Sequence, residues 1–400
     1  MKTLLVLAPE QKRIQRTEQQ QSEAADESPR ISLLEDILDA DVIDGLYLET
    51  WQSRLKFMRF FCKFIPILLL QALIVYWHRH RYDVVVSWDD RFALIYAFLL
   101  RLTCSRARHV AILSWMAPPK KAFVLKFIQK GFDRIILWSQ TQRDLLVEFF
   151  NISPSRIVTI PYFVDQNFWR PINEVVEGIC SVGDSRRDYA TLVEAISGLN
   201  ILCHIATRVQ PSEYSDGDWG TTSRSLAQIA SLPDNVVIKA ASPLELRSIY
   251  ARSRFVVVPL FPSFRDNGIT IITQAMAMGK AIICSRIQGQ LEFLEDGING
   301  IFVPPGDPKA LREAILYLWE HPEVAAQMGA EGRRRAEEIF ALEYFAANIR
   351  QIADNVITGN QTSIPAMTEK AQVSSISFSK SCDKEISANG INRNETIISS

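Results

Sequence analysis

Residues 254–286 read RFVVVPLFPSFRDNGITIITQAMAMGKAIICSR. An apolar run ends at Leu260, the loop FPSFRDNG follows, a small-residue helix starts after Gly268, and KAIICSR opens a second apolar run. Strand, loop, helix and strand in that order make a βαβ unit, whose two strands must lie parallel. Within it, Asp266 and Gln274 stand eight positions apart. Eight helical steps leave a net rotation of about 80°, so both side chains can face one pocket; equally, Asp266 can cap the helix while Gln274 faces water. The entry through Asn267, Gly268 and Ile269 offers free N–H groups at a positive dipole end, worth ~0.3 to 1 kcal/mol toward an anion such as pyrophosphate.

The same rhythm extends in both directions. YDVVVSW, HVAILSW, RIILWS and RIVTIPY are strand-like in the first half, and GICSVG, ILCHIAT, NVVIKA and GIFVPP join the quoted pair in the second. Alternation with helical patterns predicts parallel sheets covered by helices. Ser242-Pro243-Leu244-Glu245 carries a capping box, and Asp307-Pro308 opens the helix before LREAILYLW. The rhythm breaks over 167–176, where FWRPINEVV has no apolar period. Two Rossmann-like halves follow, an acceptor-side domain over 1–170 and a second domain over 171–340, with a helix at 341–358 returning to the first and a disordered Ser/Asn-rich tail over 359–400.

Composition narrows the function. With 400 residues, 48% hydrophobic and 22% charged, the chain can build two cores. A formal net charge of −1 gives no global attraction to nucleic acid, so no nucleic-acid partner is expected. Six scattered cysteines form no CxxC pair, and no His/Cys cluster has zinc spacing, so neither structural disulfides nor a metal are expected, and a reduced cytoplasmic setting follows. MKTLLVLAPE is too brief for a signal-peptide core and reads as the first strand. Residues 11–30 are polar and unpatterned, which predicts a long loop or a poorly ordered excursion after the first strand. FIPILLLQALIVYW, residues 64–77, is flanked by basic residues from Arg54 to Arg81. It is shorter than the ~20 residues a spanning helix needs; a buried crossover helix and an interfacial basic-amphipathic helix both fit it, and the second implies peripheral membrane contact through 54–81, at the inner face of the membrane.

A second anion site is written in SVGDSRRDYATLVEAI. A strand ends at Gly183 and a helix begins near Asp188, which puts Arg186 and Arg187 in the connecting loop, at the carboxyl end of a strand where open α/β sheets bind ligands. Arginine forks hold phosphate bidentately, although two loop arginines are equally consistent with solvated surface.

With these residues in view, the run GITIITQAMAMGKAIICSRIQGQLEFLEDGINGIFVPPGDPKALREAI resembles the nucleotide-binding half of the GT-B glycosyltransferases of family 4, which show E-x7-E, AMAxGxPVI, a Gly-x-x-Glu turn, GxxGxLV and PPxD. SVGDSRRDYATLVEAI is similar to that family's G-R…K-G-x-x-x-L-L-x-A segment, and IPYFVDQNFWRP to its interdomain VDxxxFxP, with Asp165, Phe168 and Pro171 at matching places. The resemblance implies a GT-B fold, two Rossmann-like domains facing a cleft, with a nucleotide-diphosphate sugar on the second and an acceptor (glycan, lipid or metabolite) on the first. It implies retaining, metal-independent transfer of a hexose-type sugar, with no cofactor beyond the donor substrate. Arg187 falls on the family's diphosphate-binding lysine, and Arg186 stands near its arginine, whose own position after Gly183 holds Asp184. Asp266 falls on the first glutamate, expected at the transferred sugar, and Gln274 on the second, expected at the ribose. Where the family places a histidine beside the cleft, this chain has Trp115 and Met116, and His109 begins the strand; Asp89 and Asp90 end the preceding strand on the acceptor side.

Other classes compete. A metal-dependent GT-A transferase needs a DxD at a strand end; Asp39-Ala40-Asp41 sits in a helical pattern and Asp216-Gly217-Asp218 in a polar loop. A dinucleotide oxidoreductase needs GxGxxG after a strand, which neither MKTLLVLAPE nor SVGDSRRD supplies. The remaining alternative is a non-catalytic GT-B-like binding or scaffold protein, because Asp266 and Gln274 depart from the two glutamates.

Overall fold

A computed structural model describes residues 1–10, 16–54, 65–114, 119–213, 216–263 and 265–360. In chain order the first half forms β1 (Thr3–Leu7), α1 (Arg16–Ala24), α2 (Leu33–Leu38), β2 (Ala40–Ile43), α3 (Gly45–Arg54), α4 (Ile67–His78), β3 (Val84–Trp88), α5 (Asp90–Leu102), β4 (His109–Ile112), α6 (Pro119–Ile128), β5 (Arg134–Leu137), α7 (Gln140–Phe150) and β6 (Ile157–Thr159). The second half forms β7 (Gly178–Val182), α8 (Tyr189–Ile196), β8 (Leu202–Ala206), α9 (Gly217–Ala227), β9 (Val236–Lys239), α10 (Pro243–Ala251), β10 (Ser253–Val258), α11 (Ile269–Ala277), β11 (Ala281–Ser285), β12 (Gly300–Val303), α12 (Pro308–Glu320), α13 (Pro322–Glu338) and α14 (Leu342–Thr358).

By internal contacts the chain separates into two units. The first holds Met1–Arg16, Ser32–Ile160 and the chain from Ala346; the second holds Thr17–Ile31 and Pro161–Phe345. Each contains one six-stranded sheet, in the order β2-β1-β3-β4-β5-β6 in the first and β12-β11-β10-β7-β8-β9 in the second. All ladders are parallel. Central strands such as β1, β7 and β11 are buried along their whole length, because helices cover both faces; that is why they read as unbroken apolar runs rather than alternating ones. In the second unit Ile179, Phe255 and Ile283 form a core with Leu192 of α8 and Ile315 of α12. In the first, Val6, Val85 and Ile43 pack with Ile74 and Phe92.

The two expected capping devices are present. Ser242 and Glu245 form the full capping box of α10, and Asp307 accepts from the Ala310 amide at the start of α12. Three expectations need correction. Gly217 and Asp218, read as part of a polar loop, form the first turn of α9, with Asp216 at its N-cap. The helical pattern over LLEDILDADVIDG stops at Leu38, because Asp39 adopts a left-handed conformation (φ 48°), and Ala40–Ile43 pairs with β1 as an edge strand. The polar stretch 11–30 contains the helix α1, outside which 11–15 are not among the described residues. The segment after α1 is fastened to the second unit by charge: Asp26 pairs with Arg170 at 2.7 Å and Arg247 at 2.8 Å, and Arg30 with Asp165 at 2.6 Å.

The apolar segment at 64–77 supplies α4, a crossover helix whose Leu70, Gln71, Ala72, Ile74 and Val75 are buried. Gln71 is accommodated because its Nε2 donates to the Leu7 carbonyl at 2.9 Å. Among the described residues no helix is long and apolar enough to cross a membrane. Phe64, Lys56, Arg59 and Lys63, Trp115 and Met116, and the tail from 361 lie outside the described residues.

Candidate functional site

In the second sheet, β7 leads through α8 to β8 on one side, while β10 leads through α11 to β11 on the other. The connections therefore diverge between β7 and β10, and in an open α/β sheet such a switch point leaves a crevice at the carboxyl ends of those strands. The loops there are 183–188 and 259–268. Backbone hydrogen bonds zip them together: Asp188 N–H donates to Pro259 O at 3.1 Å and Phe261 N–H to Arg186 O at 3.2 Å, and an antiparallel bridge joins Arg187 to Leu260. The first loop turns through Gly183 (φ 121°) and Arg186 (φ 51°), then Asp188 caps α8 by accepting from Thr191 N–H at 3.2 Å.

Arg187 lies at the junction of the loops and is only 2% exposed. Its backbone N–H donates to Thr222 Oγ1 at 2.8 Å, Nε to Val182 O at 2.9 Å and Nη1 to Ser185 O at 2.8 Å. Nη2 points between the two glycines: a Cβ on Gly183 would lie 2.5 Å from it and one on Gly268 3.5 Å. Among the described residues no carboxylate forms an ion pair with Arg187. Its partners are neutral carbonyls, and burial lowers the guanidinium pKa from its ordinary value. A desolvated cation with no counter-ion is costly, and an anion entering beside it recovers that cost.

Arg186 behaves differently. Its Nη1 lies 3.8 Å from Asp218 Oδ1, Nη2 donates to Pro262 O at 2.8 Å, and its backbone N–H donates to Asp218 O at 2.9 Å. Asp218 also receives Arg265 at 2.7 Å, so this acid anchors both loops from the start of α9. Asp184 is turned away toward Thr207 and Arg208, bonded at 2.9 and 2.8 Å. Burial opposes ionisation of Asp184, but the bonds from Arg208 and Thr207 outweigh it and hold the carboxyl below its ordinary pKa.

On the second loop, Gly268 (φ 93°) is the N-cap of α11. Ile269 N–H closes the turn onto Asp266 O at 3.2 Å, whereas, among the described residues, the Asn267 and Gly268 amides donate to no backbone carbonyl. Ser185 Oγ reaches Asn267 Oδ1 at 3.4 Å across the loops. Asp266 is half-buried near Tyr162; burial raises the Tyr162 phenol pKa, its bond with Thr270 opposes the rise, and the Asp266 charge adds to it. Gln274 is half-buried on α11, its Oε1 accepting from Tyr250 O–H at 3.1 Å.

Sequence reasoning did not find the supports beneath this loop. Gly289 lies so close that a Cβ there would meet Arg265 O at 2.1 Å and Asp266 N at 2.7 Å. The next residue, Gln290, is fully buried and donates its amide to Asn267 O. The turn Gln288–Gln290 thus holds the loop bearing Asp266 and Asn267 from below. The Gly-x-x-Glu spacing marked this turn, but nothing in the sequence said what rests on it. In the first unit, Asp89 caps α5 through Phe92 N–H at 2.8 Å and Asp90 accepts from Ser114 N–H at 2.8 Å, so both acids have structural partners. His109 is buried: its Nδ1–H donates to Gly131 O at 3.4 Å and Nε2 accepts from Ser87 Oγ at 2.8 Å. Among the described residues no three His, Cys, Asp or Glu side chains gather as a metal-holding group.

Comparison with known proteins bears on the fold and the family. Residues 190–321 match the family model of Glycosyl transferases group 1. The chain is similar to the MMP alpha-(1->4)-mannosyltransferase of Mycolicibacterium hassiacum, 24% identical over 64% of this chain and 64% of that protein. It is also similar to the O-antigen chain mannosyltransferase C of Escherichia coli, 26% identical over 47% of this chain and 52% of that protein. The chain spans less than two thirds of the length of these curated relatives. Among solved structures, Anabaena HepE in complex with UDP and glucose superposes with a TM-score of 0.65 at 14% identity, covering 89% of this chain and all of that one. Sucrose-phosphate synthase from Thermosynechococcus elongatus does so with a TM-score of 0.61 at 20% identity, covering 72% and 77%. Both have the GT-B fold seen here.

Proposed function

We propose that this chain, which is a GT-B protein of the glycosyl transferases group 1 type, transfers a sugar from a nucleotide-diphosphate sugar to an acceptor. The observation that carries the proposal is Arg187: a buried guanidinium with neutral partners, aimed between Gly183 and Gly268 at the switch point of the second sheet. A diphosphate is the anion whose shape and charge suit that position, and the Asn267 and Gly268 amides at the start of α11 supply further donors. UDP in the HepE complexes supports a nucleoside diphosphate as the leaving group.

In this proposal the donor's diphosphate lies on Arg187 and the Asn267 and Gly268 amides, Gln274 hydrogen-bonds the ribose, and Asp266 accepts from hydroxyls of the transferred sugar. Arg186 and Ile269 contribute by fixing the loops, since their donors are already engaged. The transfer retains configuration. The acceptor oxygen bonds the anomeric carbon on the face from which the diphosphate departs, the C–O bond to phosphate breaks with its electron pair on the diphosphate, and the acceptor proton passes to that same oxygen. No enzyme base and no metal are needed for this step, because the leaving group takes the proton and the arginine offsets its charge. The acceptor is a glycan, lipid or metabolite, and the protein works in the cytoplasm, meeting the inner face of the membrane peripherally through 54–81.

A panel of mannose- and glucose-bearing nucleotide sugars, read by calorimetry and by nucleoside-diphosphate release, tests this. Binding with turnover that is lost on Arg187→Ala is expected. Binding by no donor would leave the non-catalytic alternative standing.

A further inference from the structure

Among the described residues, the first unit carries large apolar side chains left exposed on one group of helices. Helices α4, α5 and α6 lie side by side, α4 packing on α5 and α5 on α6. Each connects parallel strands, so each ends at the amino edge of the sheet, opposite the edge bearing Asp89 and Asp90. Near each of these three ends stands the same device, a pair of exposed large apolar residues four positions apart. Leu73 and Trp77 are 41% and 78% exposed, Phe98 and Leu102 51% and 67%, and Phe123 and Phe127 60% and 62%. Spacing of i, i+4 puts each pair on one helix face. The three pairs thus stand on neighbouring helices of one unit, more exposed apolar surface than the isolated apolar residues of an ordinary surface.

The charge around it is one-sided. Over residues 67–131 there are ten lysines and arginines against three aspartates, in a chain whose formal net charge is −1. Arg81, Arg101, Arg106, Lys126 and Lys130 are exposed and lie on or just after the ends of the three helices. Of the three aspartates, Asp89 and Asp90 stand at the other edge, while Asp83, just before β3, shares this edge and accepts from the Lys2 backbone N–H at 2.7 Å. Apolar and aromatic side chains ringed by cations suit a bilayer with anionic headgroups: the apolar groups enter the acyl boundary while the cations meet phosphate.

We propose that the helix ends of α4, α5 and α6 form a docking surface for an anionic lipid bilayer. The proposal rests on the peripheral membrane contact named above and extends it from 54–81 to the two helices beyond. Failure here would remove that membrane contact as well, whereas donor binding, which belongs to the second unit, would stand.

Co-sedimentation of the full chain with phosphatidylcholine vesicles, with and without one third phosphatidylglycerol, tests it. Binding to the anionic vesicles at least about tenfold tighter than to the neutral ones is expected at low salt, falling as salt rises. The variant Trp77→Ser/Phe98→Ser/Phe127→Ser should lose about tenfold or more while keeping its circular dichroism and donor-induced thermal shift. Arg101→Glu/Lys126→Glu/Lys130→Glu, which leaves the apolar residues in place, should lose the anionic preference. No partition at low salt, or partition unchanged in both variants, overturns the proposal. So does an apolar variant that merely converts a dimer to a monomer, which would assign the surface to a second copy of the chain.

Discussion

The Arg187 guanidinium and the Gly183 backbone occupy adjoining space, with Nη2 only 2.5 Å from where a Gly183 Cβ would stand. Gly183 also holds a φ of 121°, a conformation that side chains avoid. Gly183→Ala should therefore expel the guanidinium from its place and lower donor affinity by about tenfold or more, alongside a stability loss of roughly 1 to 3 kcal/mol. Calorimetry on the folded variant reads the first effect and chemical denaturation the second.

Arg187→Met removes a buried charge that forms no ion pair among the described residues, so the ligand-free protein should keep its melting temperature to within a few degrees. The released desolvation cost offsets the bonds lost at Val182 and Ser185. The same variant should show no donor-induced rise in melting temperature, where the parent rises by an amount set by donor concentration. A large fall in the ligand-free melting temperature would mean that the arginine is structural.

Asp266 and Gln274 separate by kinetics. Asp266→Asn should lower kcat by about a hundredfold or more with donor KM little changed, because its charge is assigned to the transferred sugar in the transition state. Gln274→Glu should lower donor KM several-fold, since a carboxylate accepts from ribose hydroxyls more strongly and Tyr250 can still donate to it. Steady-state kinetics with one donor distinguishes the two.

Gly289→Ala pushes a methyl group into the Arg265 carbonyl, 2.1 Å from the ideal Cβ. The loop above must shift, so stability should fall by roughly 1 to 3 kcal/mol and donor KM should rise. Gln290→Leu keeps the volume but strands the Asn267 carbonyl. It should raise donor KM with a smaller stability loss, about 1 kcal/mol. Denaturation and kinetics on both variants check the order of effects.

His109 makes stability depend on pH. Burial lowers its folded-state pKa from the ordinary 6.5 to about 3, so the fold favours neutral imidazole. The unfolded chain binds the extra proton between those values, and stability is therefore complete above pH 6.5 and lost as pH falls toward 3. At pH 5 the loss is about 2 kcal/mol. Melting temperature measured against pH should show this slope in the parent and a shallower one in His109→Gln, which keeps an acceptor for Ser87.

Most strands were legible because parallel strands buried on both faces give unbroken apolar runs, as GICSV and AIICS do. The strand Ala40–Ile43 was not legible. It lies at a sheet edge, so only its two end residues, Ala40 and Ile43, are buried, and its spacing continued that of the helix before it. At the candidate site, residue types and loop positions could be read, but partners could not. That Arg186 is tied to Asp218, 32 positions on, and that Gln290 lies beneath Asn267 are facts of tertiary packing, invisible to any local period. Periodicity likewise gave no hint that three helices end in the same exposed pair, because each pair alone is an unremarkable surface feature.

The fastening of Asp26 and Arg30 makes the second unit a discontinuous gene segment, with consequences for chimeras. A single exchange point at Ile160/Pro161 would pair Arg247, which is 8% exposed, with whatever the foreign amino-terminal half carries at the place of Asp26, and would do the same to Asp165 and Arg30. Transplanting the donor-binding half between relatives therefore requires Thr17–Ile31 to travel with Pro161–Phe345. Inheritance of this unit by recombination would need two crossovers in the first 31 codons in addition to those further along.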